Sequence, residues 1–106
     1  MEATKAGRVK GMLIMGENPV ASFAQTSMVK KTLETLDCLV VTDMFMTETA
    51  KLASVVLPAA SFAEKEGTFT NFEGRVQKVR KVIEPLGGSL PDGEIILKLA
   101  GIMDSP

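Results

Sequence analysis

The chain has 106 residues, a length that allows one domain or part of one. Apolar residues make up 45% and charged residues 24%, which is typical of a globular protein and argues against a disordered tail. With 12 basic and 13 acidic residues the formal net charge is −1, so no strong basic field favours nucleic acid as the main partner.

The residue types that are missing exclude several kinds of site. The chain has no His, Tyr or Trp, which excludes a histidine general base, a serine–histidine triad and a histidine metal site. Its one cysteine, Cys38, cannot form an internal disulfide or, from this chain alone, an iron–sulfur or zinc site. No apolar stretch reaches the ~20 residues of a membrane helix, and residues 1–5 lack a secretory signal. We therefore expect a cytoplasmic chain without membrane insertion.

Apolar runs predict alternating strands and helices over residues 11–58, after a polar lead-in at residues 1–10. Three short apolar runs are typical of strands that are buried on both faces of a parallel sheet. These runs are residues 11–15, 38–42 and 55–57. Their order with helical patterns between them implies parallel strands and right-handed crossovers, and hence the α/β class with a short parallel sheet.

Helical patterns connect the predicted strands. Between the first two strands, apolar residues recur at spacings of three and four from Phe23 to Leu36. This spacing predicts one helix, with Pro19 in its first turn. Thr47 is predicted to cap a short second helix of residues 48–53.

The last part of the chain is predicted to hold a hairpin and a helix. Residues 59–91 are expected to be a loop followed by the hairpin, with Gly74 at a left-handed turn position. The second arm stays ambiguous, because its apolar spacing also fits a helix. Asp92 is predicted to cap a terminal helix within residues 92–106. The expected apolar stripe of that helix comprises Ile95, Ile96, Leu99, Ala100 and Met103. We expect residues 1–106 to form a single partial domain.

The carboxyl ends of the predicted strands indicate a mononucleotide half-site, because ligands of open parallel sheets bind there. Gly16 ends the first strand and has no Cβ, so a ligand can approach its backbone. The helix that follows offers N–H groups and a positive dipole end to a phosphate. Asp43 ends the second strand, where a carboxylate can accept hydrogen bonds from ribose or guanine, and Thr47 adds a hydroxyl.

Structural roles stay open for the same residues. Gly16 and Pro19 also suit a plain turn, Asp43 a turn or cap, and Thr47 a helix cap. Glu17 places a negative charge beside the proposed phosphate, which counts against a simple anion site.

Four motifs of the chain resemble, in the same order, motifs of the molybdopterin oxidoreductases. Residues 16–19 resemble their G-E-N-P loop, and residues 40–50 are similar to their V-V-x-D-x-F-x-T-E-T-A segment. Residues 53–59 resemble A-D-V-V-L-P-A, with Ser54 in place of the Asp. Residues 64–77 resemble E-x-x-G-T-F-x-N-x-E-G-R-x-Q. The motifs are most similar to those of formate dehydrogenase alpha subunits, followed by the large subunit of NADH-quinone oxidoreductase.

The resemblance implies a three-layer, Rossmann-like domain that holds the guanosine end of a molybdopterin guanine dinucleotide. Whole members bind molybdenum or tungsten through two such groups and carry iron–sulfur clusters outside this segment. Carried over by position, the implied cofactor-binding residues are Gly16, Glu17, Asn18, Pro19, Asp43, Thr47, Glu64, Gly67, Thr68, Asn71 and Arg75. The resemblance assigns no catalytic residue, metal ligand or iron–sulfur cluster to this chain.

The resemblance also implies a cofactor-binding fragment of a formate dehydrogenase-like oxidoreductase, because the metal-ligating segment and other domains of whole members are missing. By itself the chain is expected to be catalytically silent. Its partners are expected to be the remaining domains or subunits of the enzyme, and the apolar surface that these would cover predicts self-association of the isolated chain. Two alternatives stay open: a stand-alone nucleotide-binding or assembly module, and a ligand-free scaffold domain as in NADH-quinone oxidoreductase. Asp43 and Thr47 count against the scaffold.

Overall fold

The structure, a computed structural model, describes residues 1–103. It divides into two units, residues 1–58 and the residues from 59 onward. The α/β class, the parallel sheet and the C-terminal helix that the sequence predicts are confirmed. Residues 104–106, which belong to the predicted terminal segment, lie outside the described residues.

A parallel sheet of three strands, in the order β1–β2–β3, forms the frame of the first unit. The strands are β1 (Gly11–Met15), β2 (Cys38–Asp43) and β3 (Val55–Pro58). Ile14 pairs with Val41, which pairs with Val56, so these side chains lie on one face of the sheet. Because the strands are parallel, the carboxyl ends of β1 and β2 meet at the same edge.

Short helices connect the strands of the first unit. They are α2 (Pro19–Ser22), α3 (Thr26–Leu33) and a 3₁₀ turn at Ala50–Leu52, and a further helix, α1 (Glu2–Lys5), precedes β1. The single helix predicted from Pro19 to Leu36 is interrupted, because Phe23 adopts an extended conformation (φ −88°, ψ 142°) and ends α2. Phe23 is therefore exposed rather than part of the core. The predicted lead-in contains α1, and the predicted second helix is shortened to the 3₁₀ turn.

The core of the first unit lies between one face of the sheet and the helices α2 and α3. Its buried apolar residues are Ile14, Val20, Val29, Leu33, Leu39, Val41 and Ala50. The other face of the sheet carries Leu13 and Val55, which are 44% and 47% exposed. The helices of the first unit thus cover one of the two faces, and the second face presents apolar side chains.

Ser54, which stands where the family motif has Asp, joins the start of β3 to β2. Its Oγ accepts a hydrogen bond from the Leu39 N–H (3.2 Å). Its own N–H donates to the Leu39 carbonyl (2.8 Å). The serine therefore supplies an acceptor for a backbone N–H at this position.

The second unit contains an antiparallel hairpin and the C-terminal helix. The hairpin is formed by β4 (Gly67–Thr70) and β5 (Val76–Val79), so its ambiguous second arm is a strand. Gly74 has φ +80°, which confirms the left-handed turn position predicted for it. The helix α4 extends over Asp92–Met103.

The start and the apolar face of α4 differ from the prediction. Asp92 is the first residue of the helix, so it does not precede it as a cap. Its carboxylate instead accepts a hydrogen bond from the Lys65 ammonium group. Of the predicted apolar stripe, Ile95 is buried, whereas Ile96 and Met103 are exposed. The apolar spacing thus located the helix correctly but overestimated how much of it is packed within the described residues.

Replacing Leu33 by Ala should destabilise the first unit, because Leu33 is 2% exposed and its truncation leaves a cavity between α3 and the sheet. We expect the free energy of unfolding to fall by about 2–5 kcal/mol, as for other buried Leu→Ala changes. The matched control is Leu97→Ala, because Leu97 is 73% exposed. Urea denaturation followed by circular dichroism measures the free energy of unfolding of both variants. If this free energy fell equally in the two, Leu33 would not belong to the core.

Candidate functional site

The carboxyl edge of the parallel sheet brings together the predicted site residues of the first unit. These are Gly16, Glu17, Asn18, Pro19, Asp43 and Thr47. The strand register sets Met15 beside Thr42, and the Gly16 N–H donates to the Thr42 carbonyl (2.8 Å). The loop after β1 therefore lies against the last residues of β2. We call this group of residues the sheet-edge site.

Gly16 turns the chain sharply at the end of β1. Its φ is +61°, a conformation that L side chains rarely adopt, so the turn itself favours glycine. A Cβ added at Gly16 would meet no atom within 4 Å, so the space beside this backbone is open. Gly16 thus has a structural reason to be glycine, and it also leaves room for a ligand.

The helix α2 does not form the phosphate site that the sequence led us to expect. Pro19 has no N–H group. The next three N–H groups of the helix donate to Thr49 Oγ1 (3.2 Å) and, twice, to the Asn18 carbonyl (2.9 Å each). With four residues, α2 also has little dipole to attract an anion. Its amide groups are therefore occupied, and they cannot serve as an anion-binding N-terminus.

The side chain of Asn18 connects the loop after β1 to the segment after β2. Its Nδ2 donates to Glu48 Oε2 (2.8 Å). Its Oδ1 accepts hydrogen bonds from Thr49 N–H (3.2 Å) and Thr49 Oγ1 (2.7 Å). The hydrogen bond from Asn18, followed by a backbone N–H, lowers the pKa of Glu48 below its ordinary value.

Glu48 and Thr49 are the residues of this edge that the sequence reasoning missed. Both belong to the T-E-T-A motif, but only Thr47 was assigned a role there. Thr49 is completely buried, and a buried hydroxyl normally has hydrogen-bond partners. The sequence contained one signal, which is that two more polar residues, Glu48 and Thr49, directly follow Thr47. Their hydrogen-bond partner, Asn18, lies about thirty residues earlier in the chain.

Asp43 and Glu17 supply carboxylate oxygens to the sheet-edge site. Asp43 Oδ1 accepts a hydrogen bond from the Phe45 N–H (3.1 Å), which orients the carboxylate and leaves Oδ2 without a partner among residues 1–103. Glu17 is exposed, and within the same described part of the chain its carboxylate has no hydrogen-bond or ion-pair partner. Thr47 Oγ1 accepts from the Ala50 N–H (3.2 Å), whereas the N-cap residue of the 3₁₀ turn Ala50–Leu52 is Thr49.

Thr42, next to Asp43, carries a buried hydroxyl without a partner. The residue is completely buried, and its Oγ1 has no hydrogen bond among the described residues. An unsatisfied buried polar atom is unusual and calls for a water or ligand group. Because consecutive residues of a strand point to opposite faces, this hydroxyl lies on the other side of β2 from the Asp43 carboxylate.

In the second unit, Glu64 holds two loop segments through its carboxylate. Its Oε2 accepts from the Ser61 N–H (2.7 Å) and its Oε1 from the Leu86 N–H (2.9 Å). The residue is buried. The hydrogen bonds from Ser61, followed by the one from Leu86, lower the pKa of Glu64 below its ordinary value. Both carboxylate oxygens therefore have backbone partners.

The other predicted site residues of the second unit belong to the hairpin. Asn71 Oδ1 accepts from the Glu73 N–H (3.0 Å) and the Arg75 N–H (2.9 Å), so this amide holds the turn. Arg75 is exposed, and its guanidinium has no ion-pair partner among residues 1–103. Gly67 and Thr68 lie in β4, pair with β5 and are exposed.

An open cleft of about 860 Å³ lies in the second unit. Its lining includes Glu64 and the paired side chains of Lys65 and Asp92. Among the described residues, no group of three or more His, Cys, Asp or Glu is placed to hold a metal ion. None of the helices in this part of the chain is both long and apolar enough to cross a membrane.

The family of this chain follows from a comparison of its sequence with models of protein families. The model of the molybdopterin oxidoreductase family matches residues 1–102, almost the whole chain. The chain belongs to the molybdopterin oxidoreductase family. The resemblance that the four motifs indicated is thereby confirmed.

Relatives of this molybdopterin oxidoreductase chain include two alpha subunits. The alpha subunit of the F420-dependent formate dehydrogenase of Methanocaldococcus jannaschii is 59% identical over 92 residues, which are 87% of this chain and 14% of that protein. The NADPH-Fe(3+) oxidoreductase subunit alpha of Geobacter sulfurreducens is 42% identical over 99 residues, which are 93% of this chain and 12% of that protein. The chain thus spans about one seventh of the length of the formate dehydrogenase subunit.

A solved structure supports the same assignment. The fold matches acetylene hydratase from Pelobacter acetylenicus with a TM-score of 0.85 and 30% sequence identity. The match covers 96% of this chain and 15% of the acetylene hydratase chain. The molybdopterin oxidoreductase fold is therefore found along nearly all of the sequence.

The carboxylate of Glu64 makes the stability of this molybdopterin oxidoreductase chain depend on pH. Because the folded-state pKa is lowered, the carboxylate stabilises the fold fully above its ordinary pKa, and this contribution is lost as the pH falls through the folded value. Glu64→Gln should lower the melting temperature at pH 7 and flatten its decline below pH ~4.5. Thermal unfolding between pH 7 and pH 3 measures this.

Glu66→Gln is the matched control for this prediction. It removes the same charge as Glu64→Gln, but at an exposed residue. Its melting temperature should follow that of the unaltered chain at each pH. If Glu64→Gln and Glu66→Gln gave the same pH profile, the two backbone hydrogen bonds to Glu64 would have no effect on stability.

Proposed function

We propose that residues 11–58 hold the guanosine end of a molybdopterin guanine dinucleotide in a formate dehydrogenase-like oxidoreductase. Family membership and the similarity to formate dehydrogenase alpha subunits support this proposal. The observation that carries it is the pair of carboxylates that follow β1 and β2 at one edge of the sheet. Glu17 and Asp43 both offer acceptor oxygens there, beside the open backbone of Gly16.

Carboxylate oxygens suit guanine better than adenine. Guanine presents N–H donors, including an exocyclic amino group at N2 that adenine lacks, and an ionised carboxylate only accepts hydrogen bonds. The Phe45 N–H orients the Asp43 carboxylate in advance, so Oδ2 can accept from the base without a prior rearrangement. A site built from acceptors rejects a base that cannot supply the matching donors. The Glu17 carboxylate can accept from the ribose hydroxyls in the same way.

The residues present fit the guanosine part of the cofactor. Unused acceptor oxygens at Glu17 and Asp43 match the donors of a base and a ribose. The occupied amides of α2 do not match a phosphate, so we assign the phosphates no contact there. When bound, the molybdenum–pterin group supplies the redox chemistry, and the residues of this chain orient its nucleotide end.

We propose that the chain works within a longer oxidoreductase. The 92 matched residues are 14% of the Methanocaldococcus jannaschii subunit, which is therefore about six times as long as this chain. The exposed apolar face of the sheet supports packing against further domains or subunits, and self-association when these are absent. The whole protein would oxidise a small substrate, formate by similarity, and pass electrons to iron–sulfur clusters held outside residues 1–103. The free, exposed thiol of Cys38 favours a cytoplasmic location.

A ligand-free scaffold is the second candidate function. One observation favours it: the N–H groups of Val20, Ala21 and Ser22 in α2, at the helix start where nucleotide-binding folds often bind phosphate, are here used within the protein. In a scaffold, the Asn18 and Thr49 hydrogen bonds would only join two loops. Nucleotide binding distinguishes the two functions directly.

Guanine nucleotides should bind at the sheet-edge site. In an amide-resolved NMR titration, GMP should shift the signals of Gly16, Glu17 and Asp43, whereas AMP at the same concentration should not. Asp43→Asn replaces an acceptor oxygen by a donor, and should raise the Kd for GMP about tenfold or more, the effect of losing a hydrogen bond to a charged group. Its hydrogen bond with Phe45 can be kept, so the fold should be unchanged.

Asp37→Asn is the matched control for Asp43→Asn. Asp37 precedes β2, is exposed, and lies 3.9 Å from the Lys10 ammonium nitrogen, away from the sheet-edge site. This variant should bind GMP like the unaltered chain. Equal shifts with GMP and AMP, or none with either at millimolar concentration, would count against guanosine binding and favour the scaffold.

A further inference from the structure

We infer that Asn18 is a positioning residue of the sheet-edge site. Its side chain sets the spacing of the Glu17 and Asp43 carboxylates by tying the loop after β1 to the segment after β2, and it does not itself contact the nucleotide. The inference rests on the proposed function and corrects one part of the residue assignment that the family resemblance implies, since that resemblance counts Asn18 among the cofactor ligands.

The hydrogen-bonding capacity of the Asn18 amide is almost used up within the protein. An asparagine side chain has two acceptor sites on Oδ1 and two donors on Nδ2. Both acceptor sites are occupied by Thr49, through its N–H (3.2 Å) and its Oγ1 (2.7 Å). One donor is occupied by Glu48 Oε2 (2.8 Å). A ligand would have to compete with these partners for all but one position.

Thr49 extends the connection to a second point of the loop. Its Oγ1 donates to Asn18 Oδ1 and accepts from the Val20 N–H (3.2 Å). The hydroxyl is completely buried, where hydrogen bonds are electrostatically stronger and broken ones more costly than in water. The hydrogen-bonded chain Val20–Thr49–Asn18 therefore holds the loop after β1 in one position.

Few other side-chain interactions join the two segments. Within the described residues, every side-chain hydrogen bond between residues 16–22 and residues 44–52 involves Asn18 or Thr49. Glu17 directly precedes Asn18, and Asp43 directly precedes the segment that carries Glu48. Backbone pairing holds Gly16 against Thr42, one residue before each carboxylate, and Asn18 adds most of the side-chain connection between the segments that follow.

The pair formed by Asn18 and Glu48 can be reversed without changing the net charge. Asn18→Asp keeps acceptor oxygens for Thr49, but it removes the donor to Glu48 and places two carboxylates face to face. Adding Glu48→Gln supplies the missing donor from the other side. The double variant therefore restores the hydrogen bond between the segments with its polarity reversed, while the side chain at position 18 differs chemically from the native one.

The experiment compares the full 106-residue chain with Asn18→Asp and with Asn18→Asp/Glu48→Gln. Two quantities are measured by NMR: the hydrogen exchange of the Val20 and Thr49 amides without ligand, and the Kd for GMP. Asn18→Asp should accelerate exchange at both amides and raise the Kd about tenfold, as expected for losing a charge-assisted hydrogen bond. The double variant should restore slow exchange and bring the Kd back to within about threefold.

Gln25→Glu is the matched control, because it makes the same amide-to-carboxylate change at an exposed residue of the first unit. It should alter neither quantity. Recovery of both exchange and affinity in the double variant supports the positioning role. Recovery of exchange without recovery of affinity would overturn it, because the native amide would then contact the nucleotide directly.

Two further outcomes separate this inference from the proposed function. If Asn18→Asp left both the exchange of the Val20 and Thr49 amides and the Kd for GMP unchanged, the hydrogen bond from Asn18 to Glu48 would not hold the two segments together and the inference would fail. If the unaltered chain bound no GMP, the proposed function would fail. The exchange rates would then decide by themselves whether Asn18 fixes the two segments, with accelerated exchange in Asn18→Asp and recovery in the double variant as the supporting result.

Discussion

Parallel pairing of β1 with β2 is the constraint on which the first unit depends. Two parallel neighbours need a crossover, so the chain must leave the end of β1, pass over one face of the sheet as α2 and α3, and return. This path buries Val29 and Leu33 against Val41 and forms the core. It also brings the ends of both strands to one edge, where Gly16 and Asp43 become neighbours although they lie far apart in the chain.

Hydrogen bonds within the protein decide which groups at that edge remain for a ligand. The amides of α2 donate to Thr49 Oγ1 and to the Asn18 backbone carbonyl, and the Asn18 side chain is bonded to Glu48 and Thr49. The carboxylates of Glu17 and Asp43 keep free oxygens. These side-chain oxygens only accept hydrogen bonds, which suits the donors of a base and a sugar. The occupied amides of α2 are not open to a phosphate.

Polar residues of the second unit that match the family motif have structural roles in the local fold. Glu64 satisfies two backbone N–H groups, and Asn71 satisfies two more in the hairpin turn. Such groups are costly to bury without partners, so side chains that supply acceptors are required for the local fold itself. Arg75, by contrast, has no ion-pair partner among residues 1–103, which leaves it available for a role outside this unit.

The sequence by itself determined the three strands, the turn at Gly74 and the gathering of Gly16 and Asp43 at one edge. Apolar runs, turn glycines and strand order are local signals, and parallel topology follows from them. Only the tertiary structure decided that Phe23 interrupts the helix, that Asp92 pairs with Lys65 instead of capping α4, and that Asn18 connects two segments. The last two depend on partners distant in the chain, Lys65 for Asp92 and Thr49 for Asn18, and no spacing rule within a short window contains that information.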